Sequence, residues 1–440
     1  MRDRDSGKTN AAVEPGSRPL LLTARQIVTC AGAAPKRGSD LDDAGVIDRG
    51  ALLVANGVLE DVGPEADVRS RLGGQSVTEH RFPNRVLAPG FVDAHTHAIF
   101  AGNRAREFER RLRGEDYMAI LESGGGILET VDGLRHATEE NLVDQTLSRL
   151  DRMLEHGTTS AEVKSGYGLE VQAELKSLRV LERLRELVPI ELTGTFLGAH
   201  AFPRGLDRSA YVTQIIEEML PAVVDQGVVD SCDVFCDRGV FDLDQTRLIM
   251  ERAVGFGLRL RIHSDEIKAL GATELACSMG AASVDHLIAI TDSGIQALSA
   301  SRTVGVLLPG TSFTLGKTYA PARKMIENGC SIAIATDLNP GSCHNENMQF
   351  AFQLACATYR MTPAEAFNAT TLNAAYSLGL DQRIGSLEKG KQADILVLDV
   401  EDYREIPYKL GVNHVEKVYK AGSIVMQRQS PAENRVPRTV

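Results

Sequence analysis

Along the centre of this chain, short apolar runs alternate with longer stretches of helical period, and they do so eight times. The runs are Phe91–Ala94, Ser160–Val163, Glu191–Leu197, Ser231–Phe235, Arg259–Ile262, Ser283–Asp285, Thr303–Leu308 and Ser331–Ala335. Each has the length and β-branched content of a buried strand. Between them, Asn141–Glu155 brings Leu142, Leu147, Leu150 and Leu154 close to one stripe, and Glu174–Leu187 repeats Leu at 175, 178, 181, 184 and 187. Ala210–Val224, Gln245–Val254, Ala272–Met279, Ser293–Ser299, Ala322–Glu327 and Glu346–Tyr359 complete the helical set. Strand–helix alternation with short connections predicts a parallel sheet of the α/β class, and eight units predict closure into a (β/α)8 TIM barrel over 87–383. An open doubly wound sheet is the alternative, but it would keep strands one, five and eight apart. The two ends read as strands instead. Leu20–Leu22, Gln26–Val28 and the hairpin signal Asn56-Gly57 stand in one, and Asp394–Asp399 and Val415–Lys420 in the other. Neither end makes a stable sheet alone. The expectation is one small β-sandwich domain formed by both termini, from 18–86 and 384–428, with tails at 1–17 and 429–440.

Composition narrows the class. Apolar residues make up 43% and charged residues 24%, as in ordinary globular proteins. The net charge of −11 excludes a general nucleic-acid binder. No apolar run is long enough for a membrane span, and the polar start Met-Arg-Asp-Arg lacks a signal-peptide core. Seven cysteines without a zinc-type Cys-x-x-Cys spacing read as reduced thiols, Cys232 and Cys236 among them, so a cytoplasmic setting is expected.

The polar residues at the ends of the predicted strands carry the chemistry. In Val92-Asp-Ala-His95-Thr-His97, two imidazoles lie two residues apart, so on extended backbone both face the same way. His263 ends strand five, and Asp337 follows strand eight. Barrel enzymes gather their chemistry at the C-terminal rim. Three imidazoles and a carboxylate there suit one zinc or iron ion with room for water, whose pKa such an ion lowers toward about 7. Asp337 can also accept the water's proton. Glu266, three residues beyond His263, can protonate a nitrogen leaving group, and His286 can orient the water or polarise a carbonyl. Strand four lacks the Lys that would bridge two ions, so one metal is expected. Lys164 at the end of strand two reads as a structural ion pair or as a holder of a loop. Gly124-Gly125-Gly126 is not a phosphate loop and reads as a lid or a plain flexible loop.

These motifs together resemble the amidohydrolase superfamily. The resemblance lies in Val-Asp-Ala-His-Thr-His, the strand-five His, Asp285-His286-Leu287, Thr336-Asp337 and the return stretch Gly385-Ser-Leu-Glu-Lys-Gly-Lys-Gln-Ala-Asp394. Narrower motifs resemble its imidazolonepropionase family: Phe100–Phe108, Glu122–Ile127, Lys164-Ser-Gly-Tyr-Gly-Leu169, Gly198-Ala-His200, His263-Ser-Asp-Glu266 and Asp337-Leu-Asn-Pro-Gly-Ser342. The resemblance covers most of 20–425. It implies hydrolysis of the ring amide of 4-imidazolone-5-propanoate to N-formimidoyl-L-glutamate in histidine degradation, by a cytoplasmic homodimer with one zinc or iron ion per chain. It assigns His95, His97, His263 and Asp337 to the metal. Arg104, Tyr167, His200, Glu266, Asn339, Gly341 and Ser342 match substrate-contacting positions. A carboxylate-bearing substrate requires a fixed cation, and Arg104 can supply a two-pronged one. Two alternatives stay open at this point: a ring deaminase or other cyclic amidohydrolase of the superfamily, and a non-catalytic barrel scaffold.

Overall fold

The computed structural model describes residues 18–115 and 125–428. Both expected tails and Gly124 of the glycine run lie outside the described residues. Among the described residues, fifteen strands fall into two sheets. The first holds β1 (Leu20–Val28), β2 (Val46–Ala55), β3 (Val58–Pro64), β4 (Thr78–Pro89), β13 (Ile395–Leu398), β14 (Val415–Lys420) and β15 (Ser423–Gln427), in the order β15-β14-β13-β4-β1-β2-β3. The β2–β3 hairpin turns at Asn56 and Gly57, whose φ angles of 49° and 80° suit the tight turn that Asn-Gly favours. Chain ends meet where β13 pairs antiparallel with β4, Leu398 opposite Val86. The sheet curls on itself, because Leu59 of β3 and Tyr419 of β14 share one buried cluster with Leu22, Leu52 and Val397. One departure from the all-strand reading is the helix Glu65–Leu72. It seals the other face by packing Val68 onto Leu21, Ala51 and Leu53.

β4 runs to Pro89 and the barrel begins at Phe91. β5 (Phe91–Asp93), β6 (Thr158–Lys164), β7 (Glu191–Ala199), β8 (Ser231–Cys236), β9 (Arg259–Ser264), β10 (Ser283–His286), β11 (Val304–Leu307) and β12 (Ser331–Ile334) lie side by side, all parallel. The ring closes at its C-terminal rim. The His97 N–H donates to the Leu338 carbonyl (2.8 Å) and the Asp337 N–H to the His95 carbonyl (3.1 Å). Asp93 clamps the same seam, accepting from the Thr336 N–H at 3.0 Å and from the Thr336 hydroxyl. The fold is therefore the expected (β/α)8 barrel with a small β domain built from both ends.

The outer helices follow the apolar stripes with two corrections. In Val171–Leu187, Leu178, Leu181 and Leu184 are buried but Leu187 is exposed. A three-residue repeat drifts about 60° per step around a helix of 3.6 residues per turn, so the stripe leaves the core. The expected Ala210–Val224 helix extends from Arg208 to Gln226 and widens into a π turn over Ile215–Met219. Pro221 follows that turn and has no N–H to return to it. Two helices the periodicity did not reveal, Pro363–Thr370 and Leu372–Leu378, pack beneath the barrel's closing strands.

Candidate active site

The four expected metal-binding side chains converge. His95 Nε2 lies 3.3 Å from His97 Nε2, which lies 3.4 Å from His263 Nε2. Asp337 Oδ1 stands 3.5 Å from His95 Nε2 and 3.6 Å from His97 Nε2. All four residues are buried. Ligand atoms held tetrahedrally at about 2.1 Å from one ion are about 3.4 Å apart; the three imidazole nitrogens, all within 4.8 Å of one another, form a group that could hold an ion, and Asp337 stands at its His95–His97 edge. Proton placement agrees. His95 Nδ1 meets Asp285 Oδ2 at 2.6 Å and His263 Nδ1 meets Asp233 Oδ1 at 3.1 Å, so each ring carries its proton on Nδ1 and turns a lone pair inward from Nε2. His97 has one proton and faces two such lone pairs. A cation at the common centre satisfies them all. Burial, with Lys164 and His200 as the next influences, holds His95 and His97 well below the ordinary imidazole range, which keeps them neutral as ligation requires. Thr311 donates to Asp337 Oδ2, leaving Oδ1 as the oxygen nearest the imidazoles.

The linear sequence gives Asp233 no role, and Asp285 only a place in the motif Asp285-His286-Leu287. Both lean on Lys164, whose Nζ lies 2.7 Å from Asp233 Oδ2, 2.7 Å from Glu162 Oε1 and 3.7 Å from Asp285 Oδ2. The lysine is fully buried. Burial pulls its ammonium down, but the charges of Asp233, Glu162 and Asp285 outweigh it and raise it above the ordinary lysine range. Of the two readings of Lys164, the ion pair is the one the fold contains. It joins the acids that orient two of the histidines. Replacing Asp285 by Asn should weaken zinc binding about 10- to 100-fold, because the amide no longer fixes the tautomer of His95. Equilibrium dialysis against a zinc buffer reads this directly, and unchanged affinity would remove Asp285 from the site.

Around this cluster the rim supplies a ring of aromatic and polar groups. His200 stacks on His97 with centroids 4.9 Å apart and planes 12° from parallel. Its Nδ1 donates to the Gly166 carbonyl at 3.0 Å, leaving Nε2 as an acceptor. Burial, followed by the nearby His263, lowers His200 to about 3. The Tyr167 ring lies 5.2 Å from His200 and 5.8 Å from His97. His286 sits 5.2 Å from His263 by ring centroids, and its Nε2 is 3.8 Å from Glu266 Oε2. The other Glu266 oxygen is 3.9 Å from Lys317 Nζ. His286 and Asp337 hold φ angles of 79° and 54°, unusual for residues with a side chain and typical of strained functional positions.

Arg104 stands with the loop that follows Asp337. Its Nε and Nη2 donate to Glu107 at 2.8 and 2.5 Å, and Glu107 also accepts from the Gly126 N–H at 2.9 Å. The guanidinium lies so close to Gly341 that a Cβ there would come within 2.2 Å of Nη1. One edge of Arg104 is thus braced by Glu107, and the Nη1–Nη2 end keeps donors for a second carboxylate. Asn339 differs from a simple ligand contact. Its Oδ1 accepts from the N–H groups of Gly341 (2.8 Å) and Ser342 (2.7 Å), and its Nδ2 donates to the Asp337 carbonyl and to Ser342 Oγ. The amide shapes the loop that carries Gly341 and Ser342.

Barrel and donor cluster together define an amidohydrolase. Residues 243–425 match the amidohydrolase family as a whole. Over nearly its full length the chain is similar to the imidazolonepropionase of Parabacteroides distasonis, at 44% identity across 93% of this chain and 99% of that one. The imidazolonepropionase of Shouchella clausii is also 44% identical, across 92% of each chain. The structure of E. coli guanine deaminase shares the fold, with a TM-score of 0.71 at 16% identity over 93% of this chain and 100% of that one. The chain belongs to the imidazolonepropionase family, and it is a hydrolase. The scaffold alternative falls with that finding.

Proposed function

We propose that this protein opens the ring amide of 4-imidazolone-5-propanoate to give N-formimidoyl-L-glutamate, the histidine-degradation step after which its relatives are named. His95, His97, His263 and Asp337 hold one zinc or iron ion. When bound, such an ion acidifies a water and polarises a carbonyl oxygen. Asp337 takes a proton from the attacking water. His286 donates to the carbonyl oxygen as charge develops there. Glu266 delivers a proton to the ring nitrogen as the C–N bond breaks, so water adds across that bond and nothing else is consumed. Tyr167 and His200 hold the ring. Arg104 pairs through its Nη1–Nη2 end with the propionate, and Gly341 and Ser342 close the same side.

The observation that carries this reading is the clustering of three imidazole nitrogens, with Asp337 beside two of them and a braced arginine beside the loop that follows Asp337. Ultraviolet absorbance of 4-imidazolone-5-propanoate is the test. The metal-replete protein consumes the substrate, a chelator stops it, and zinc or iron restores it. A replete protein that leaves the absorbance unchanged would refute the proposal. Arg104→Ala should raise KM about 10- to 100-fold, the usual weight of a charge-assisted hydrogen bond, and much less for an analogue lacking the propionate. Equal losses for both would exclude the propionate as its partner and favour a deaminase-type substrate. We further propose a cytoplasmic homodimer. All seven cysteines are free thiols, which supports a reducing compartment. Light scattering at twice the 47.6 kDa chain mass would verify the dimer.

A further inference from the structure

The loop that presents Tyr167 is folded around a single buried carboxylate. Glu174 lies in the first turn of the helix Val171–Leu187 and has no solvent exposure. Its Oε2 accepts from the Gly166 N–H at 3.0 Å. Its Oε1 accepts from the Gly168 N–H at 2.8 Å and the Leu169 N–H at 2.9 Å. Three backbone donors on one acid, on both sides of Tyr167, fix the path of the chain at that residue. Backbone N–H groups gather in this way only where the chain bends back on itself, and Gly166 and Leu169 do so with φ angles of 109° and 52°. There is no slack in the contact. A Cβ on Gly168 would lie 2.5 Å from the Glu174 nitrogen and 2.8 Å from its Oε1. From the opposite side, Arg135 Nε donates to the Gly168 carbonyl at 2.7 Å.

The same loop governs a second rim residue. The Gly166 carbonyl accepts from His200 Nδ1 at 3.0 Å, and that bond sets both the tautomer and the tilt of the ring stacked on His97. Glu174 holds Gly166 by its N–H, so it acts on Tyr167 directly through the chain and on His200 through the one residue Gly166. It touches none of the four metal-binding residues.

We infer that Glu174 is a positioning residue for substrate binding: its carboxylate gathers the Gly166–Leu169 amides so that Tyr167 and His200 stand ready to hold the imidazolone ring. The inference rests on the reading that those two side chains contact substrate. Glu174→Gln is the primary test. The amide keeps the shape but turns an NH2 toward one of the N–H groups it must accept, so the loop loses part of its anchor. Metal content should stay at the wild-type level while KM rises about tenfold and kcat changes less than threefold. In a Tyr167→Ala/His200→Ala background, adding Glu174→Gln should change KM less than twofold, because the groups it positions are gone. A wild-type KM for Glu174→Gln, or a full tenfold cost that persists in that background, would overturn the inference. A Tyr167→Ala/His200→Ala protein with wild-type KM would instead refute the substrate contacts on which it rests. Should Glu174→Gln not accumulate as folded protein, Glu174→Asp makes the same test, because the acid keeps its charge but falls one methylene short of the loop amides, with the same rise in KM expected and an unchanged KM counting against it.

Discussion

Asp337→Ala should abolish turnover, lowering kcat by at least about 10⁴-fold, and should strip the purified chain of most of its metal. Three properties of Asp337 combine in that loss. It is the one carboxylate among the four donors, so its removal takes away the anionic ligand. In the proposed mechanism it also receives the water's proton, a role worth about 10²- to 10⁴-fold by itself. Its backbone N–H also closes the barrel on the His95 carbonyl, so the position is fixed by the fold as well as by its neighbours. Alanine keeps that N–H, and the barrel should stay closed. Plasma emission spectrometry and the ultraviolet assay on the same sample separate the two losses. A metal-replete Asp337→Ala protein with kcat within tenfold of wild type would remove this residue from both roles.

Glu266→Gln should behave differently, with kcat down about 10²- to 10⁴-fold, metal content unchanged and KM shifted little. Glu266 is not in the group of residues that could hold the ion, and its carboxylate stands 3.8 Å from His286 and 3.9 Å from Lys317. Glutamine fills the same space and makes comparable hydrogen bonds, but it carries no proton that a departing nitrogen can take. The contrast with Asp337→Ala is the informative part. One variant loses metal and chemistry together, and the other loses chemistry alone. A kcat within about threefold of wild type would transfer proton delivery to His286.

That the proposed donors come together was legible in the sequence because their signal is local. Two histidines two residues apart at the end of an apolar run need only the period of a strand to be read as a pair. His263 and Asp337 joined them once eight strands had been counted. The acids that orient the histidines were not legible. Asp285 meets a ring 190 positions away and Asp233 one 30 positions away, and these contacts exist only when barrel closure brings Asp285 to His95 and the β8–β9 pairing brings Asp233 to His263. Arg104 was picked out by the family resemblance alone, since charge does not separate it from Arg106, Arg110, Arg111 and Arg113. What sets it apart from Arg113 is burial, 11% against 76% side-chain exposure, and burial follows from the loop at Gly341. The helices Pro363–Thr370 and Leu372–Leu378 escaped because they are buried almost all round and show no amphipathic stripe. Their one local sign was the capping box of Thr362 and Glu365 with Pro363 at the first helical position. Glu174 could be placed on a helix, but that its carboxylate faces three amides of the preceding loop is a property of the loop's bend.

The most direct test is anomalous diffraction from crystals of the protein loaded with zinc. One strong peak per chain is expected, about 2.0–2.2 Å from Nε2 of His95, His97 and His263 and from Oδ1 of Asp337. A loaded crystal with no peak at that centre, or with its peaks on other side chains, would contradict the account.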